Sequence, residues 1–142
     1  MKYVVVLLAA FGIIVSALAL REHYRTEGDS PCSINERWDC GIVNHSSFAV
    51  IAKVPVAAIG VAGYLVLGCL GFARLRFATF LAAFLGFLFA FRLSMIEQYG
   101  LGAWCLYCAI SQVIITIILL LSIGWFVVEY LALRRAAQKA NI

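Results

Sequence analysis

Five cysteines are the residues in this chain best suited to covalent chemistry, and their spacing divides them into two pairs and a single. Cys32 and Cys40 enclose seven residues, Ser33 to Asp39. A disulfide across so short a loop removes little chain entropy, so thiol exchange suits this pair better than structural service. Cys105-Leu106-Tyr107-Cys108 is a CxxC motif. At the start of a helix, one turn brings its two sulfurs together, and the helix N-terminus favours a thiolate on Cys105. The thiolate is the attacking species in disulfide exchange. Two other uses of the same residues stay open: a buried structural disulfide, and a zinc cage in which Cys32, Cys40, Cys105 and Cys108 converge. The cage would leave a net charge of about −2 beside apolar surroundings, so no metal is expected.

The remaining candidates are weaker. Cys69 stands among Leu67, Gly68 and Leu70 and reads as a small apolar residue. His23 and His45 are too few and too far apart to hold a metal. Trp38, Trp104 and Tyr107 suit an aromatic belt at a membrane interface, or the cover of a flat, ring-shaped substrate.

The elements that must position these residues follow from composition. Of 142 residues, 65% are hydrophobic and 13% charged. Soluble domains carry about half and a quarter, so the chain is expected in a membrane, and disorder, a disulfide-rich secreted domain and a nucleic-acid binder are excluded. Four apolar stretches, at residues 3–20, 55–73, 77–96 and 104–131, are each about long enough to cross a hydrocarbon core of roughly 30 Å as a helix. Only residues 21–54 form a polar segment of any length, and residues 132–142 read as a basic cytoplasmic tail. The expected fold is an all-α, four-helix membrane bundle in one domain, with an extracytoplasmic loop between helices one and two. Pro55 is expected in the first turn of helix two, where its missing N–H is harmless. Small residues at Ala58 and Ala62, and at Ala82, Gly86 and Ala90, are expected to let helices pack closely. A cleaved signal peptide is the alternative for residues 3–20, given the small-x-small run Ala17-Leu18-Ala19.

Charge sets the expected orientation. The net charge is +4, with Lys2, Arg74, Arg76, Arg134, Arg135 and Lys139 on one side of alternating helices. The 21–54 loop carries Arg21, Arg25, Arg37 and Lys53 against Glu22, Glu27, Asp29, Glu36 and Asp39. The positive-inside rule then puts both termini in the cytoplasm and four of the five cysteines on the oxidising face. Two exchange-competent pairs at one membrane face suggest an electron relay, water-facing at one end and lipid-facing at the other, where a quinone is a suitable acceptor.

Taken in order, Cys32-x7-Cys40, Gly41-Ile-Val-Asn-His-Ser46-Ser-Phe48-Ala, Val54-Pro55-Val56-Ala-Ala-Ile-Gly60-Val-Ala-Gly-Tyr64 and Trp104-Cys105-x-x-Cys108 resemble the vitamin K epoxide reductase family over nearly the whole chain. Bacterial disulfide bond protein B, also a four-helix protein with two cysteine pairs, has its CxxC first; here the wider pair leads. The resemblance implies a quinone pocket inside the bundle and a thioredoxin-fold partner. It implies that Cys32 and Cys40 receive electrons from the partner dithiol, Cys40 passes them to Cys105, and Cys108 faces a quinone, ubiquinone or menaquinone. Ser46 matches a loop serine that organises the relay, and Phe48 an aromatic neighbour; a helix cap and a lipid-facing ring are their alternative readings. The substrate-contacting positions are Phe48, Val56, Tyr107 and Gln112. Val56 stands where vertebrate epoxide reductases have asparagine, and Gln112 where they have tyrosine, so quinone reduction in a bacterial cytoplasmic membrane is favoured over naphthoquinone or vitamin K epoxide reduction. No thioredoxin-like domain lies within these residues, so the partner is expected to be a separate protein. A thiol-dependent transporter of soft metal ions is the alternative from another class.

The orientation is testable by labelling. With native thiols removed, Ser30→Cys should react with a membrane-impermeant maleimide added outside, and Ala136→Cys should not; labelling of both from one side contradicts the four-crossing topology.

Overall fold

The computed structural model describes residues 2–24, 38 and 50–142. All four apolar stretches form helices, because hydrocarbon offers no partner for unpaired backbone groups. Helix α1 spans Lys2–Tyr24, α2 Val56–Phe72, α3 Arg76–Ile96 and α4 Leu106–Ala140. A π-helical turn, Glu97–Leu101, extends α3. Three of these segments are long and apolar enough to cross a membrane, Lys2–Tyr24, Arg76–Gly100 and Leu106–Ala140. The fourth, α2, is apolar over 17 residues, which rise about 26 Å. The chain is thus an all-α membrane protein, with four long helices among the described residues.

The connections are short where the chain turns back. Ala73 caps α2, Arg74 takes the left-handed conformation at φ 59°, and Arg74 N–H and Leu75 N–H donate to the carbonyls of Gly71 and Leu70. These two bonds form a Schellman motif, which normally prefers glycine at the position Arg74 holds. Ahead of α2, Val50–Ile51 (β1) and Val54–Pro55 (β2) pair antiparallel, Val50 opposite Pro55. Ala52 and Lys53, at φ 53° and 68°, make the two-residue turn between them. Both central residues of such a turn need positive φ. Pro55 is therefore the extended residue capping α2, at φ −60° and ψ 135°, one position before the first helical turn where it was expected.

Two helix ends also differ from the apolar pattern. Helix α4 begins at Leu106, with Cys105 extended ahead of it, and continues to Ala140 through the expected tail. Residues 131–140 are Leu, Ala, Arg, Gln and Lys, all strong helix formers, so the helix outlasts its apolar face.

The core sits along the bundle axis, where Val5, Ala9, Val15, Tyr64, Leu67, Ala83, Ile114 and Ile118 are buried. Large apolar side chains such as Leu7, Phe11, Phe77, Leu120 and Val128 face outwards, as suits a surface solvated by lipid. Helix α1 packs most extensively on α2, α3 on α4, and α1 also on α4, whereas α2 and α3 touch much less. At the end holding the N-terminus, Lys2 Nζ lies 4.9 Å from the ring centre of Phe72, and Arg76 pairs with Glu129 while covering the Trp125 ring at 5.3 Å. Lys2 and Arg76 thus share one end of the bundle.

The α1/α2 contact depends on Gly12. A Cβ there would lie 2.5 Å from the Tyr64 ring, so Gly12→Ala should destabilise the bundle by roughly 1–3 kcal/mol through overpacking. Gly124, on α4, has nothing within 4 Å of a built Cβ; Gly124→Ala should leave the melting temperature in detergent unchanged or raise it. Equal melting temperatures for the two variants would contradict this packing.

Candidate active site

A cavity of about 530 Å³ opens where α2 and α3 separate. Helix α2 supplies Val56, Gly60 and Gly63 to its wall, and α3 supplies Ala82, Gly86 and Ala90. Of the small residues expected to serve helix packing, Ala62, Ala82, Gly86 and Ala90 thus also line this space, whereas Ala58 does not, and Gly86 lies against Ile115 as well. Tyr107, Cys108, Ser111 and Ile115 of α4 form the back of the cavity, and Glu97 closes its end beside Cys108. Except near Glu97, Cys108, Tyr64 and Ser111, the lining is largely hydrocarbon.

Tyr64 lies on the cavity wall and ties α2 to α4. Its hydroxyl lies 2.7 Å from Ser111 Oγ and donates to the Ser111 carbonyl at 2.9 Å. Ser111 follows Cys108 by three residues, one helical turn, so this contact also sets where Cys108 meets the wall.

Cys105 is completely buried and, unlike Cys108, is not part of the cavity wall. The two thiols hydrogen bond to one another. Cys105 stands just outside the helical span, and the bond to Cys108 is the main influence holding its thiol below the ordinary value. Burial opposes this; the N–H groups of Cys108 and Tyr107, facing the sulfur at the helix start, reinforce it, and the nearby Glu97 charge opposes it again. Cys105 is therefore the better nucleophile of a dithiol at a helix N-terminus, while Cys108 faces the apolar space.

Glu97 completes the arrangement and was overlooked by sequence reasoning. It is 3% exposed, accepts a hydrogen bond from Cys105 N–H at 3.3 Å on Oε2, and hydrogen bonds to the Cys108 side chain. The regular end of α3 positions it, since Glu97 keeps helical φ and ψ and its N–H donates to the Leu93 carbonyl; the π-helical turn that begins there and Gly102, at φ 66°, then lead the chain to Cys105. The available signal was a lone carboxylate between two apolar stretches, eight residues before the CxxC. Acidic residues in that setting are costly and commonly functional.

Next to the pair, Trp104 Nε1–H donates to Gln98 Oε1 at 2.9 Å. Trp104 is also bridged to Trp38, with ring centres 6.1 Å apart. Trp38 precedes Cys40 by two residues, and Trp104 adjoins Cys105.

The structure brings Val56, Tyr107 and Cys108 together on the cavity wall. Gln112 is not among the lining residues; its Oε1 receives a 3.5 Å hydrogen bond from Ser94 Oγ. Cys32, Cys40, Ser46 and Phe48 lie outside the described residues. Cys69 is exposed on the surface of α2, towards the end opposite Val56.

The vitamin K epoxide reductase family matches residues 3–123, covering α1, α2, α3, the CxxC and the first half of α4. The chain belongs to this family. A comparison with curated proteins finds no match. Vitamin K epoxide reductase family members are membrane oxidoreductases of the thiol–quinone type, and typically work with a thiol partner and a quinone. The dithiol and apolar cavity described above are the features of this chain that such chemistry requires.

Proposed function

We propose that the chain is a thiol:quinone oxidoreductase that draws electrons from a separate thioredoxin-fold protein through Cys32 and Cys40, passes them to Cys105 and Cys108, and so supports disulfide formation in that partner. The observation that carries this reading is the division of labour within the CxxC: Cys108 lines an apolar cavity, and Cys105 lies on the Trp38–Trp104 side. A quinone ring with part of an isoprenoid tail suits a largely apolar cavity of about 530 Å³ that carries a few polar groups, Glu97, Cys108, Tyr64 and Ser111 among them. Val56, Tyr107 and Cys108 would hold the ring, and the quinone, ubiquinone or menaquinone, supplies a two-electron, two-proton acceptor.

The steps on the protein follow from exchange chemistry. The partner's dithiol reduces the Cys32–Cys40 disulfide and becomes a disulfide itself. Cys40 then attacks a Cys105–Cys108 disulfide at Cys105 and releases Cys108. Cys32 resolves the Cys40–Cys105 bond, which regenerates Cys32–Cys40 and leaves Cys105 and Cys108 as the dithiol. In this scheme Ser46 and Phe48 support the loop during its approach, and the loop faces the extracytoplasmic side of a bacterial cytoplasmic membrane. The Trp38–Trp104 bridge supports that approach, since Trp38 precedes Cys40 by two residues in the sequence and Trp104 adjoins Cys105.

Two observations favour quinone reduction over epoxide reduction. Val56 offers the cavity hydrocarbon where vertebrate epoxide reductases have an amide, and Gln112 is engaged with Ser94 outside the lining. The outward position of Cys69 gives little support to a thiol-lined transport path.

Purified protein, a reduced thioredoxin-fold protein and a short-chain ubiquinone test the relay by quinone absorbance. Cys105→Ala or Cys108→Ala should abolish reduction with every donor. Cys32→Ala or Cys40→Ala should block the protein donor but retain reduction by dithiothreitol. Cys69→Ala should behave as wild type. A Cys32→Ala variant that oxidises the protein donor at the normal rate contradicts the relay order.

A further inference from the structure

Glu97 is the one carboxyl group on the cavity wall among the described residues; the other titratable groups there are Tyr64, Tyr107 and Cys108. Tyr64 is engaged with Ser111. Glu97 instead reaches both cysteines, through the Cys105 backbone and the Cys108 side chain, and also borders the cavity. A structural role at the start of α4 requires only an acceptor for the Cys105 N–H. It does not require an acid, and burying one in an apolar site is costly. The arrangement has the reach of a general base: its hydrogen-bonded partner is the thiol whose proton must leave when Cys108 reacts.

We infer that Glu97 is a catalytic proton carrier for the Cys105–Cys108 pair, accepting the Cys108 thiol proton as the disulfide forms and returning it into the cavity. The inference rests on the thiol:quinone reading for the fate of that proton. In full turnover the two S–H bonds of Cys105 and Cys108 break and one S–S bond forms. Two electrons and two protons pass to the quinone, which becomes the quinol. Glu97 takes up the proton of Cys108 and delivers it to a quinone oxygen, so its own protonation is unchanged over the cycle. The second proton is that of Cys105. The first half of this role also operates without quinone. When Cys105 has been captured as a mixed disulfide, Cys108 must lose its proton to attack Cys105 sulfur and expel the captured thiol, which leaves protonated.

The substitution Glu97→Gln separates proton transfer from structure, because the amide keeps an oxygen for the Cys105 N–H and cannot carry the proton. The reduced, full-length protein in detergent is mixed with 2-hydroxyethyl disulfide, quenched by acid and analysed by mass spectrometry. Capture of Cys105 should be as fast as in wild type or faster, because removal of a nearby negative charge favours its thiolate. Resolution of the adduct by Cys108 should slow about 100-fold, the lower range for loss of a general base. Glu97→Asp should fall between the two. In a parallel arm with a short-chain ubiquinone, Glu97→Gln should slow dithiol oxidation by a similar factor. Resolution at the wild-type rate in Glu97→Gln overturns the inference, as does an equal loss in capture and resolution, which would mark a structural role. If wild type fails to reduce the quinone while Glu97→Gln still slows resolution, the thiol:quinone reading falls and the proton-accepting role of Glu97 stands.

Discussion

The site depends on how Tyr64 is held. Its ring occupies the notch left by Gly12 on α1, and its hydroxyl crosses to Ser111 on α4. One side chain on α2 therefore links three helices. In water a hydrogen bond of this kind contributes about 1 kcal/mol net; surrounded by helices and lipid, the larger penalty lies in leaving the groups unsatisfied. With α1, α2 and α4 gathered around Tyr64, α3 packs mainly on α4 and stands away from α2. The cavity occupies that separation, and Cys108 reaches it because it lies one turn from Ser111.

A second constraint operates at the mouth of the bundle. Thiol chemistry needs proton transfer, and hydrocarbon supplies no water to perform it. The polar groups there are consequently few and mutually engaged: Cys105 with Cys108, Glu97 with both, and Gln98 with Trp104. Glu97 stands on the α-helical path of α3, and the π-helical turn that begins with it leads the chain on towards Cys105. Cys105, Cys108, Glu97 and the apolar cavity thus meet where the chain passes from α3 to α4.

Much of this was legible in the sequence. The four helices follow from long apolar runs with little internal charge, Arg92 and Glu129 being the charged residues within them, because the bilayer permits few other structures. The CxxC was readable because its spacing has a direct geometric meaning at a helix start. What escaped depended on tertiary context. Ala52 and Lys53 have no turn chemistry that would announce positive φ, so the hairpin that extends Pro55 was invisible. Gly12 looks like any glycine in an apolar helix until Tyr64 is seen against it. Ala82, Gly86 and Ala90 read as a packing stripe, and only the gap between α2 and α3 turns them into cavity wall. Glu97 belongs to neither apolar stretch, and a π-helical turn leaves no periodic trace.

The central claim is that the Cys105–Cys108 dithiol delivers its electrons directly to a quinone in this cavity. A single-turnover titration tests it most directly: a Cys32→Ala, Cys40→Ala, Cys69→Ala variant, fully reduced and freed of reductant, is mixed anaerobically with a short-chain ubiquinone. Quinone loss is followed by absorbance, and the quenched protein is mapped by mass spectrometry. The account predicts one quinone reduced per chain, with a Cys105–Cys108 disulfide formed at the same rate. Unchanged quinone, or quinone reduced while both cysteines remain thiols, would contradict it.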